Sequence, residues 1–168
     1  MADAGVILVE SIAAQWRETA DYARRLVADL RDEEMVSQPV AGVRMNHPAW
    51  ILSHLSAYGP VLAGCLRGEA VEDPIDHRFG RNSAPVDDAA AYLPKQRLID
   101  HFVEVYDDAT EALRAAPAER LAAATPIERW IPRFPRVGDM PVQFLIRHNA
   151  THLGQLSAWR RAGGRPAV

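Results

Sequence analysis

His148 and His152 lie four residues apart in the run Arg147-His148-Asn149-Ala150-Thr151-His152-Leu153-Gly154-Gln155, inside a strongly helical stretch. On an α-helix, positions i and i+4 are neighbours on one face. Two imidazoles held in this way can chelate one divalent cation. A third histidine, His54, sits in another helical stretch. Three neutral imidazoles converging between helices would leave a coordination position open, as catalytic rather than structural metal sites do. Two histidines at this spacing alone are weak evidence, because ordinary surface or core histidines produce it too. The surrounding pattern strengthens it. Leu145, His148, His152, Gln155 and Trp159 step by three and four, the stripe expected of the inward face of a bundle helix. Burying three polar side chains without partners costs about 1–3 kcal/mol each. A metal would satisfy the imidazoles, and Gln155 could orient a ligand or a bound water.

The remaining candidates separate by helical rise. His47 precedes His54 by seven residues and faces the same way, but about 10 Å along the axis. It reads as an N-terminal helix residue beside an entrance, not as a ligand. Cys65 faces inward about 16 Å beyond His54 and reads as core, neither ligand nor nucleophile. His77 lies in a loop and His101 off the best stripe of its helix; both read as peripheral. No acidic residue falls on an inward stripe beside the histidines, so a four-ligand protein cage is not expected. There is no phosphate loop and no Ser-His-Asp arrangement. The zinc-peptidase pattern HExxH is broken because Asn149 follows His148.

Four segments have the periodicity to position these groups. The first runs over about 5–30, with Ile12, Trp16, Ala20, Ala23 and Leu26 on its apolar stripe. The second runs over about 47–66, with Asn46 as N-cap, Pro48 in the first turn and Gly68 as its stop. The third covers about 93–116, from Pro94 in its first turn to Pro117. The fourth covers about 141–162, with Asp139 as cap and Gly163-Gly164 as its end. No segment alternates at period two, so no sheet is expected. The expectation is an all-α four-helix bundle, one domain over 1–168. The long connections at 67–92 and 117–140 allow a crossover topology as well as a simple up-down one. Both are expected to wall the site, with Asn46, His47, Tyr58 and the stretch from Trp130 to Arg136 as the groups to find there. Trp130 and Phe134 must either pack on the bundle or roof a pocket.

At 168 residues, with 48% hydrophobic content and a formal charge of −3, the chain can bury a sizeable core. Its arginines are scattered, so no nucleic-acid partner is expected. The single cysteine excludes an intrachain disulfide and a Cys-based zinc site. The N-terminal stretch lacks a basic leader region, and no uninterrupted apolar run reaches the length of a bilayer span. A cytoplasmic protein without a membrane partner is expected.

The chain also resembles a family. His54 within Trp50-Ile51-Leu52-Ser53-His54-Leu55, together with His148-x-x-x-His152-x-Gly154-Gln155-Leu156 and the end Ser157-Ala158-Trp159-Arg160-Arg161, resembles the DinB-like (DNA-damage-inducible) superfamily of small bacterial metalloproteins. Helix number, order and chain length fit throughout. The resemblance implies a four-helix bundle with a long crossover connection, a divalent metal on His54, His148 and His152, and frequent homodimers. Some relatives are transferases or isomerases that use a low-molecular-weight thiol and a small electrophile. The expected cofactor is a divalent ion, zinc first, with nickel, iron or copper compatible. Metal-dependent thiol transfer is then the leading expectation. The alternatives are metal-dependent hydrolysis and a non-catalytic, stress-linked metal-binding or dimeric interaction protein. The bulky Trp16 and Trp159 and the modest net charge add to the expectation of a dimer.

Overall fold

A computed structural model describes residues 3–168. Helix α1 spans Ala4–Val27, and Asp3 caps it by accepting the Gly5 N–H at 2.7 Å. Its buried stripe contains Ile12, Trp16, Ala20, Ala23 and Leu26, as its periodicity predicts. Helix α4 spans Lys95–Ala115, and the five-residue α5 spans Ala118–Ala122. Short 3₁₀ turns punctuate the connections. Among the described residues the only β pairing is an isolated bridge between Ala124 and Arg136.

The second predicted helix is two helices. Helix α2 spans Pro48–Ser56 and α3 spans Gly59–Arg67. Pro60 explains the break: it has no N–H to give, and its ring clashes with the carbonyl four residues back. Gly59 has a packing role at the break, since a Cβ there would meet Val105 Cγ2 at 2.6 Å. Every residue of α2 is buried. The N-cap is His47 rather than Asn46, with Nδ1 accepting the Trp50 N–H at 3.2 Å. Gly68 ends α3 in the left-handed region at φ 81°.

The last predicted helix is also composite. A π-helical segment, Val142–His148, runs into the α-helix α6, Asn149–Ala162. Asp139 does not cap it; its carboxylate accepts the backbone N–H of Arg136 within the preceding turn. The deepest positions are Leu145, Asn149, Leu153, Leu156 and Arg160, whereas His148 and His152 are half-buried and Gln155 is exposed. The histidines therefore border the core and face a cleft, one position off the inward stripe inferred from spacing.

Helix α1 packs mainly against α4, the π segment and α6, and α2 packs mainly against α4 and α6. The helices carrying the first and second predicted segments thus sit diagonally, and residues 28–47 and 116–141 span the diagonals. Trp16 lies at the centre with its ring 5.0 Å from Tyr106 and its Nε1 donating to Asp107 at 2.7 Å. Tyr106 donates to the Leu55 carbonyl at 3.0 Å, tying α4 to α2. The stretch Pro48–Arg67 is long and apolar enough to pass for a membrane span, contrary to the expectation from uninterrupted runs. Yet 83% of its most apolar window is buried inside the bundle, which marks it as a core element.

Candidate metal centre

His54 projects from the middle of α2, and His148 and His152 from the junction of the π segment and α6. Their side-chain nitrogens form a group in which one atom from each ring lies within 4.8 Å of the others. Nε2 of His54 is 3.2 Å from Nε2 of His148. Two bonds of about 2.05 Å to a tetrahedral ion would put ligand nitrogens about 3.3 Å apart, so this pair is spaced to share one cation. No carboxylate or thiol belongs to the group. An all-imidazole donor set suits zinc, nickel, iron or copper.

The neighbours of these rings decide which nitrogen is free. Nδ1 of His54 lies 2.7 Å from the carbonyl oxygen of Phe79, which can only accept, so that nitrogen carries the proton and Nε2 keeps its lone pair. Nδ1 of His152 makes the same kind of contact, 3.0 Å, with Oε1 of Gln155. That oxygen also accepts from Nδ2 of Asn46 at 3.1 Å, so a chain of bonds runs from the start of α2 to the histidine. Nδ1 of His148 is buried with no protein partner, making this the least anchored ring. Burial holds all three rings neutral. It lowers the pKa of His54 to about 4 and that of His148 to about 3, with charge repulsion from His152 as the next cause. His152 is lowered by burial against the opposing bond to Gln155. Neutral imidazoles are the form that binds metal.

The first long connection clamps α2 from outside. Besides the Phe79 carbonyl, Ser83 Oγ accepts from Trp50 Nε1 at 3.2 Å, and Trp50 stacks on His54 with centroids 4.7 Å apart. Gly80 makes this loop possible: a Cβ there would fall 2.0 Å from the Pro74 carbonyl oxygen. From the second connection, Trp130 and Phe134 pack against Phe144, and Trp130 stacks near Tyr58. Both are buried, and both line the cleft onto which the histidines open, so they pack and roof at once. The cleft has a volume of about 290 Å³. Hollows of about 490 and 610 Å³ elsewhere have no such convergence of imidazoles.

Of the other sequence candidates, His47 is fully buried and uses both ring nitrogens, Nδ1 in the cap and Nε2 toward the Val86 carbonyl at 3.1 Å. It lines no entrance: it is not among the residues of the cleft, and its nitrogens are taken by the cap and the Val86 carbonyl. Cys65 is buried, and burial pushes its thiol up to about 11. His77 and His101 border a different hollow. Three groups escaped the sequence reading. Arg81 and Arg129 line the cleft from loops, where no periodicity marks direction. Arg160 is buried at 1% exposure, although an arginine next to the helix end reads as solvated. Its guanidinium bonds the Leu26 carbonyl at 2.9 Å and Asp29 at 2.5 Å.

No curated protein matches the chain. The motif of His54 on one helix and His148-x-x-x-His152 on the last, the helical bundle and the three-imidazole cluster agree with one family comparison, in which the sequence model of the DinB superfamily matches residues 15–156. That match covers well over half of the 168 residues, and the chain belongs to the DinB superfamily.

Proposed function

We propose that the protein is a divalent-metal-dependent enzyme of the thiol-transferase type, with His54, His148 and His152 as the metal ligands. The observation that carries the reading is the opening of the three imidazoles onto an aromatic-walled cleft rather than into closed core. An ion that only joined helices would need no such opening. When bound, a divalent ion would supply Lewis acidity, lowering the pKa of a thiol or water placed beside it. Zinc is the first choice, since imidazole suits it and its open-position sites are catalytic.

The chain's own residues do the rest. The Phe79 carbonyl and Gln155 fix the tautomers of His54 and His152, so that Nε2 presents its lone pair. Trp50 stacks on His54 and sets the plane of its ring. Tyr58, Trp130 and Phe144 exclude water from one side of the cleft and offer flat apolar contact to a small substrate. Transfer to a thiol as the reaction class is supported by the resemblance to thiol-using relatives.

The test has two stages. Elemental analysis of purified protein should give about one divalent ion per chain, with occupancy sharply lower in His148→Ala and His152→Ala. Unchanged stoichiometry in both variants refutes the centre. A screen of small electrophiles against several low-molecular-weight thiols should then reveal metal-dependent thiol consumption. Metal-dependent water addition without thiol would overturn the transferase reading in favour of a hydrolase.

A further inference from the structure

The cleft contains a second chemical element besides the imidazoles. Arg81 from the first long connection and Arg129 and Arg133 from the second all line it, and no Asp or Glu does. The chain as a whole carries a formal charge of −3, so the cleft is a positive spot on an acidic protein. Arg129 is neutralised by Asp73 through contacts of 2.7 and 2.5 Å, which also pin the two connections to each other. Arg81 and Arg133 have no side-chain acceptor among the described residues. Other exposed arginines such as Arg97 and Arg161 also lack a side-chain acceptor among those residues; what distinguishes Arg81 and Arg133 is that both line this one cleft. Both guanidiniums border the aromatic cleft with no carboxylate of the protein among its lining.

The geometry points to an oxyanion subsite: Arg81 and Arg133 receive a carboxylate or phosphate borne on a small, flat, apolar ligand that lies between Trp130, Tyr58 and the histidine triad. This deepens the proposed function by naming the substrate's charge class and rests on that reading for its catalytic meaning. Planar guanidiniums match carboxylate and phosphate oxygens, forming charge-assisted hydrogen bonds. The aromatic walls match a planar body, and a volume of about 290 Å³ limits that body to roughly the size of a substituted single ring. A divalent ion in the same cleft would add to the attraction.

Trp50 and Trp130 both line the cleft, so intrinsic fluorescence reports its occupancy. Benzoate, phenyl phosphate and the neutral isostere benzamide are titrated into metal-free and zinc-supplemented protein. At least one anion should perturb the emission of the metal-free protein in a salt-sensitive way, and benzamide should not. The better anion identifies the carboxylate or the phosphate as the preferred group. The double variant Arg81→Gln/Arg133→Gln should weaken that anion by about ten-fold or more. Both side chains are exposed, so the fold does not depend on them. Equal binding of benzamide, or undiminished anion binding by the double variant, overturns the subsite, as does no response to either anion. Metal content measured on the same samples tests the centre separately: anion binding without metal uptake overturns the centre and leaves the subsite standing.

Discussion

The contact between Gln155 and His152 would let the proposed metal centre be tuned in both directions without touching a proposed ligand. Gln155 Oε1 accepts from His152 Nδ1 at 3.0 Å and from Asn46 Nδ2 at 3.1 Å. Gln155→Met keeps the length of the side chain and removes the acceptor. Groups that hold the far nitrogen of a metal-binding histidine are worth about 10–100-fold in affinity. Gln155 is exposed, so water can replace part of the lost bond, and the lower end applies. We expect the zinc dissociation constant to rise about ten-fold, or about 1.4 kcal/mol. Gln155→Glu should act oppositely. A carboxylate accepts from both donors and makes His152 a better electron donor, so affinity should be equal to or tighter than wild type. Met, Gln and Glu have similar helix propensities, so α6 should keep its stability and circular dichroism should not change. Competition against a chelator of known affinity gives the dissociation constants. The reasoning is refuted if the Met variant binds zinc as tightly as wild type, or if Glu weakens it as much as Met does.

Gly80→Ala drives a methyl into the Pro74 carbonyl, and we expect about 1–3 kcal/mol of lost stability together with weaker metal binding, because the displaced loop also carries the Phe79 carbonyl that holds His54. A thermal melt combined with the chelator assay checks both parts. Arg160→Ala breaks a buried pair and should cost about 3 kcal/mol, the low end for such losses because Asp29 is 47% exposed and can rehydrate. The melting temperature should fall by roughly 6–12 °C, and a rise would refute the account. The same pair sets an acid dependence. Bonding to Arg160 lowers the Asp29 pKa to about 2 from 3.8, so its stabilisation is fully present above about pH 4 and is lost as pH falls through about 2. Asp29→Asn should therefore be less stable than wild type at pH 7, by on the order of 1 kcal/mol after screening, with the gap closing toward pH 2. Cys65 should resist iodoacetamide in the native protein and react on denaturation, since burial both hides its thiol and keeps it protonated.

The periodic part of this chain was readable because a buried stripe repeats in sequence. Trp16, Ala20 and Ala23 mark α1, and Ile99, Phe102 and Tyr106 mark α4, in the pattern that the packing requires. The clustering of His54 with His148 and His152 followed from the same logic across two helices. Failures came where local geometry departs from 3.6 residues per turn. Pro60 divides the second helix, and the first seven residues of the last one wind as a π-helix. Asn46 looks like the better cap by propensity, yet its amide is committed to Gln155 and the imidazole of His47 takes the cap instead. Two arginines of the cleft, Arg81 and Arg129, were invisible for a different reason, whereas Arg133 falls inside the stretch from Trp130 to Arg136 expected to wall the site. Arg81 and Arg129 sit in the irregular connections, and only the path of those connections over the bundle, with Gly80 packed against the Pro74 carbonyl and Asp73 gripping Arg129, brings them to the histidines.

The π segment at Val142–His148 has one further consequence, for how such a cleft can diversify. A π turn holds one residue more than an α turn needs, so removing a single residue there would restore α geometry while leaving the turns on either side in place. Only side chains of the wide turn itself, Gln143 and Phe144 in the cleft wall and His148 at its end, would be re-aimed, while His152 would keep its place. The cleft wall and His148 thus vary together, apart from His152, along a single helix. A one-residue deletion can rewrite one wall of the cleft and re-aim His148 while α6 stays in register.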